Sequence, residues 1–143
     1  MIQDQSKIGD EEMQFELDNR APVYVQVIQY FKQQIASGEI KMGEEIPSRR
    51  ELARLLKINP NTVQRAYREM EEAGLIYTDG NLPSKVTMDK EIIQRTKNEL
   101  LTNAVNEFIR SVQPIQIPLP ELLELIKEKY VENDISKEGD KSD

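Results

Sequence analysis

The stretch Ile46-Pro47-Ser48-Arg49-Arg50-Glu51-Leu52-Ala53-Arg54-Leu55-Leu56, continuing past Lys57 into Ile58-Asn59-Pro60-Asn61-Thr62-Val63-Gln64-Arg65-Ala66-Tyr67, constrains the fold of this chain more than any other. It spells two short helices joined by a tight turn. In the first, Leu52, Leu55 and Leu56 recur at helical spacing beside Ala53, so one stripe is buried and Arg49, Arg50 and Arg54 lie off it. Ser48 is the expected N-cap, and Glu51 three residues on completes a capping box. In the second, Asn59 caps, Pro60 takes the first helical position where its missing N–H costs nothing, and Val63, Ala66, Tyr67 and Met70 form the inward stripe. Asn61, Thr62, Gln64, Arg65 and Arg68 are left facing out. Amide side chains pair with adenine edges and arginine pairs with guanine or phosphate, so this face suits a helix laid in the major groove.

The flanks extend the pattern. Upstream, Tyr24, Val27, Ile28, Phe31 and Ile35 keep helical spacing after Arg20-Ala21-Pro22 and stop at Ser37-Gly38. Downstream, Gly74 closes the second helix of the pair. Leu75-Ile76-Tyr77-Thr78 then reads as a strand, Asp79-Gly80-Asn81 and Pro83-Ser84 as a turn, and Lys85-Val86-Thr87 as the returning strand. Helices followed by a hairpin make a winged helix. Before them, Met13-Gln14-Phe15-Glu16-Leu17 alternates as a short strand would, and residues 1–12 are polar and acidic enough to be disordered.

Residues Gly38 to Gly74 resemble the DNA-binding domain of the GntR family of bacterial transcription regulators. The resemblance is carried by Gly38-Glu39-Ile40, Gly43, Ile46 through Ala53, Asn59-Pro60-Asn61-Thr62-Val63, Ala66-Tyr67, Glu71, Gly74 and Leu75-Ile76. The Asn-Pro-Asn-Thr-Val opening and the short C-terminal part are similar to the YtrA-type subfamily. The resemblance implies that Ser48 and Arg49 approach the DNA backbone and a base edge. It also implies that Asn61, Thr62, Gln64 and Arg65 enter the major groove and that Gly80 sits at the wing tip. Arg50, Asn59 and Arg68 complete the expected DNA-binding set, with Lys85 as a wing contact to phosphate. Family wings usually turn on Gly-x-Gly running into an aromatic residue and valine. Gly80-Asn81-Leu82-Pro83-Ser84-Lys85-Val86 lacks the second glycine and the aromatic.

The formal net charge of -7 is the wrong sign for a chain held to DNA by bulk attraction. Its distribution is not. Residues 46–70 carry six basic side chains (Arg49, Arg50, Arg54, Lys57, Arg65, Arg68) against two acidic ones (Glu51, Glu69), while residues 1–19 carry one against six and residues 89–143 eight against twelve. Specificity should therefore rest on base contacts more than on raw charge. With no cysteine and no histidine, thiol chemistry, disulfides, common zinc sites and histidine acid–base catalysis are excluded. The carboxylate pairs Glu44-Glu45 and Glu71-Glu72 read as solvated charge, and neither a glycine-rich phosphate loop nor a nucleophile elbow is present, so no enzyme and no cofactor are expected. No apolar run approaches the length of a membrane span, so a soluble cytoplasmic protein is expected, with no membrane partner.

The C-terminal part should be two helices. Ile92, Ile93, Leu100, Leu101, Ala104, Val105, Phe108, Ile109 and Val112 form a wide stripe between Lys90 and Val112. Gln113-Pro114-Ile115-Gln116-Ile117-Pro118 breaks the helix, and Pro120 opens a last one through Leu122, Leu123, Leu125, Ile126 and Tyr130. Such stripes either fold back on the winged helix or pair with a second subunit. The expected dimer interface is Ile93, Leu100, Leu101, Ala104, Val105, Phe108, Ile109, Leu122 and Ile126.

The expected fold is thus mainly α with a small β-hairpin. A winged helix-turn-helix DNA-binding domain over 13–88 is followed by a two-helix dimerisation appendage over 89–131 and a disordered tail over 132–143. The resemblance implies a homodimeric repressor of its own operon, transporter genes among the targets, bound to a pseudo-palindromic double-stranded operator. No particular small-molecule effector is implied. The competing reading is a winged-helix module for protein or RNA interaction. Its recognition helix would be expected to expose apolar anchors rather than Asn61, Gln64, Arg65 and Arg68.

Overall fold

The computed structural model describes residues 15–141, with side chains described through Ile135. Five helices alternate with a small sheet: α1 Val23–Ala36, α2 Arg49–Leu56, α3 Pro60–Glu72, β1 Ile76–Tyr77, β2 Lys85–Val86, α4 Lys90–Val112 and α5 Leu119–Lys141. The chain divides into two compact units, residues 1–102 and residues 103–143.

The first unit is a winged helix-turn-helix. Its caps follow from local sequence: the Ser48 hydroxyl accepts from the Glu51 N–H at 3.1 Å and the Asn59 side chain from the Asn61 N–H at 2.7 Å. Both satisfy donors that a helix start leaves free. Between α2 and α3 the turn passes through Lys57 at φ 58°, a left-handed conformation that a side chain adopts at some cost. α3 closes on a Schellman motif, with Leu75 N–H donating to Met70 C=O at 2.9 Å and Gly74 N–H to Glu71 C=O at 3.0 Å. Gly74 has φ +79°, where a side chain is strained, and a Cβ there would meet the Ile92 Cδ1 atom at 2.9 Å and force that side chain to shift.

β1 and β2 pair antiparallel with Ile76 opposite Val86 and Tyr77 opposite Lys85. The other edge of β2 is covered by the α1–α2 connection. Glu45 bridges Lys85, Gly43 N–H donates to Val86 C=O at 2.9 Å, and Ile46 N–H donates to Ser84 C=O at 3.0 Å. The wing is thereby tied to the entrance of α2. Glu44 takes part through its backbone, its C=O accepting from the Val86 N–H at 2.9 Å.

The core holds the apolar positions that the periodicity marked, Val27, Phe31, Ile35, Leu52, Val63, Ala66, Tyr67 and Met70, closed by Ile40, Ile46, Leu75, Ile76 and Val86. Phe31 and Tyr67 meet edge to face, their ring centroids 6.0 Å apart. Tyr30, absent from the expected stripe, is also buried, because Phe15 stacks edge-on against it at 5.1 Å.

Four expectations change. The strand placed over 13–17 is not one where it is described: Phe15–Leu17 has no strand pairing, and Met13 and Gln14 lie outside the described residues, as do residues 1–12. The backbone that follows is satisfied instead by the Gln26 side chain, which donates to the Asp18 and Ala21 carbonyls and accepts from the Asp18 N–H. The tail expected to be disordered from residue 132 continues α5 through Lys141. Its lysines and glutamates are good helix formers, and a Lys129–Glu132 pair at 3.5 Å braces the helix before it. The boundary placed at 89 moves: the start of α4 belongs with the winged helix, where Ile92 and Ile93 pack on the core. Ile93, expected at the dimer interface, packs partly buried against this core.

In the second unit the 3-10 turn Gln113–Ile115 ends at Gln116, φ +60°, and α5 follows. Apolar side chains stay uncovered there: Val105, Phe108 and Ile109 are 40–52% exposed and Leu123, Leu125 and Ile126 are 37–50% exposed.

Candidate nucleic-acid interface

The exposed surface of the helix-turn-helix is assembled from two helix starts. Ser48 and Arg50 at the opening of α2 are exposed, as are Asn59, Asn61, Gln64 and Arg68 along α3, with Thr62 half-buried. The inward face of α3, carrying Val63, Ala66, Tyr67 and Met70, is fully engaged in the core. Its polar face is therefore held rigidly outward, with no apolar anchor on it.

Two arginines of the expected set are already engaged. Arg49 reaches across to α3: its Nη2 atom is 3.2 Å from Glu71 Oε2, and its Cζ atom lies 5.0 Å from the centre of the Tyr67 ring. Its Nε is buried and has no hydrogen-bond partner among the described residues. An orphaned donor of this kind is costly, and an acceptor reaching it from outside would relieve that cost. Arg65, expected to point into the groove, is instead turned toward α1. Its guanidinium lies over the Tyr24 ring at 3.7 Å, donates to the Tyr24 hydroxyl at 2.9 Å and to Glu69 at 3.2 Å.

The wing is wired to the same helices. The Glu71 carboxylate that holds Arg49 also accepts from the Thr78 hydroxyl at 2.6 Å, and Thr78 in turn contacts the buried Ser84 hydroxyl. Thr78 has one proton and gives it to the carboxylate, so Ser84 donates to Thr78. Gly80 is exposed at the turn with φ +56° and open space around it, and Lys85 is half-buried in β2 opposite Tyr77. Sequence reasoning missed Tyr24, Glu71, Thr78 and Ser84. Each acts through a partner distant in sequence, which local patterning does not mark.

Burial pushes the Tyr67 phenol well above its ordinary pKa, with Arg49 opposing and Glu51 assisting. Its hydroxyl donates to the Pro47 carbonyl, pinning the residue that precedes the α2 cap. Among the described residues no helix is long and apolar enough to cross a membrane.

This geometry matches known proteins. Residues 23–83, from the start of α1 to the wing turn, match the family described as bacterial regulatory proteins, gntR family. The chain is 30% identical over 115 residues to the HTH-type transcriptional regulator YhcF of Bacillus subtilis (strain 168), spanning 80% of this chain and 95% of that one. It is 32% identical over 117 residues to the HTH-type transcriptional repressor YtrA of the same organism, spanning 81% of this chain and 90% of that one. Among solved structures, a GntR family transcriptional regulator from Listeria monocytogenes superposes with a TM-score of 0.73 at 32% identity, covering 78% of this chain and 98% of that one. The fold, the arrangement of α2 and α3 and these relatives agree: the chain belongs to the GntR family of DNA-binding transcriptional regulators, with YtrA among its homologues.

Proposed function

We propose that this protein is a homodimeric repressor of its own operon, transporter genes among the targets, which lays α3 in the major groove of each half of a pseudo-palindromic operator. The observation that carries the reading is the outward face of α3. Asn61, Gln64 and Arg68 are exposed on a helix whose other side is locked in the core, and amide and guanidinium groups are the side chains that read base edges. Ser48 and Arg50 at the α2 start would meet the backbone, and Gly80 and Lys85 would bring the wing to the adjacent groove. A homodimer is supported by the uncovered apolar side chains of residues 103–135, and repression by the likeness to the transcriptional repressor YtrA.

Selection of bound duplexes from a random library, at near-physiological salt, tests the proposal. The expected product is an inverted repeat whose half-sites lie about one helical turn, 10–10.5 bp, or a multiple of it apart. A selection that enriches no sequence would overturn it and leave the winged helix to a protein or RNA partner.

A further inference from the structure

Tyr24 and Arg65 are 41 residues apart in sequence and meet where α1 packs on α3. Their geometry is unlike that of a base-reading arginine, which extends the free end of its guanidinium into the groove as a two-pronged donor. Here the guanidinium lies over an aromatic ring, Cζ 3.7 Å from its centre, with Nε given to Glu69 at 3.2 Å and one Nη2 hydrogen given to the Tyr24 hydroxyl at 2.9 Å. Guanidinium groups carry five N–H donors. Two are used, and the outer ones have no partner among the described residues.

The tyrosine hydroxyl is the second half of the site. Because it accepts from Arg65, its own proton is directed elsewhere, and no acceptor among the described residues takes it. A phenol O–H and free guanidinium N–H groups, held side by side on a half-buried ring at the edge of the recognition helix, are donors that suit an oxyanion with several acceptor oxygens. Stacking fixes the arginine rotamer before any ligand arrives, so little conformational entropy is lost on binding. Glu69 holds the Nε side at 3.2 Å.

We propose that Tyr24 and Arg65 form a two-residue clamp for one DNA backbone phosphate per half-site, with Tyr24 both donating its hydroxyl proton and positioning the guanidinium, so that base reading falls to Asn61, Gln64 and Arg68. The inference rests on the reading of α3 as the operator-facing helix. It adds α1 to the interface and takes Arg65 out of the sequence code.

The test uses the full-length protein and the selected duplex, with neutral methylphosphonate linkages introduced one at a time. For wild type, one linkage per half-site should weaken binding about tenfold, the size expected when a charge-assisted hydrogen-bonded pair is lost. Arg65→Ala should bind weaker by a similar factor, should respond to that linkage much less than wild type does, and should lower the slope of log affinity against log salt by about 0.9 per phosphate released. Its ranking of single-base-pair operator variants should match that of wild type. Tyr24→Phe, which keeps the ring, should respond to the linkage less than wild type does, and Tyr24→Leu should approach Arg65→Ala. In the Arg65→Ala background, Tyr24→Leu should cost clearly less than it does in wild type, because only the hydroxyl's own bond is left to lose. Relaxed preference at one base pair in Arg65→Ala, an undiminished response to the linkage, or additive losses for the two variants would each overturn the clamp while leaving the regulator intact. A wild type that prefers no duplex would overturn the functional reading first and the clamp with it.

Discussion

Tyr67 shows how much a single side chain coordinates. Its ring closes the core against Phe31, its hydroxyl donates to the Pro47 carbonyl beside the α2 cap, and the Arg49 guanidinium lies over its face. Because burial raises its pKa in the folded state above the ordinary value of 10.0, the folded protein keeps the phenol proton where the unfolded chain gives it up. Its contribution to stability is therefore complete below the ordinary value and lost as pH climbs toward the folded one. Tyr67→Phe should cost about 1–2 kcal/mol at neutral pH, since it leaves the Pro47 carbonyl without its donor. The variant should lose less of its stability on alkalinisation, so the gap from wild type narrows by about pH 11. Urea denaturation at the two pH values measures both effects, and an unchanged gap would mean that this phenol ionises as freely folded as unfolded.

At the scale of elements, the wing's two-residue strands are joined to the helices by the Arg49–Glu71–Thr78–Ser84 chain that runs from α2 through the end of α3 into the hairpin. Thr78→Val keeps the shape and removes the link, leaving a half-buried carboxylate and a buried hydroxyl short of a partner, at a cost of about 1–3 kcal/mol. Amide exchange should quicken in the wing over 79–86 and stay slow in α1, α2 and α3; equal protection of the wing in variant and wild type would show that backbone pairing alone holds it. None of this chain was legible beforehand, whereas α2 and α3 were, down to their caps. Ser48, Asn59, Pro60 and Gly74 act on neighbours within a few residues, and the apolar stripes repeat at the helical period, so local order along the chain carries the information. Arg65 on Tyr24, Glu45 on Lys85 and Phe15 on Tyr30 are contacts between segments that only the assembled core brings together. Periodicity marked which face of α3 is outward but not which way a long arginine on that face would lean. It also treated α4 as one stripe, when Ile92 and Ile93 serve the winged helix and the apolar residues beyond 102 do not.

At the scale of the molecule, the unsolved matter in a single chain is the apolar surface of residues 103–135. Val105, Phe108 and Ile109 on α4 and Leu123, Leu125 and Ile126 on α5 are all exposed large hydrophobics, a concentration that isolated soluble chains seldom leave in water. A second copy can cover it, and the two-fold symmetry of such a pairing would match that of an inverted repeat. The acidic balance of the chain makes that coupling matter. At a net charge of -7, one reading head has only the local positive surface of residues 46–70 to hold it, so a monomer should bind its half-site weakly and the dimer should gain mostly through effective concentration. Phe108→Glu places a charge in the middle of the uncovered stripe and touches none of the winged-helix core. It should sediment as a monomer, unfold with the wild-type winged-helix transition, and bind the full operator weaker by about 10²–10⁴, the range that linkage of two sites supplies. Its affinity for an isolated half-site should equal that of wild-type protein dilute enough to be dissociated. A Phe108→Glu protein that remains dimeric would move the interface off this stripe, and one that turns monomeric yet binds the full operator undiminished would show that the two reading heads work independently.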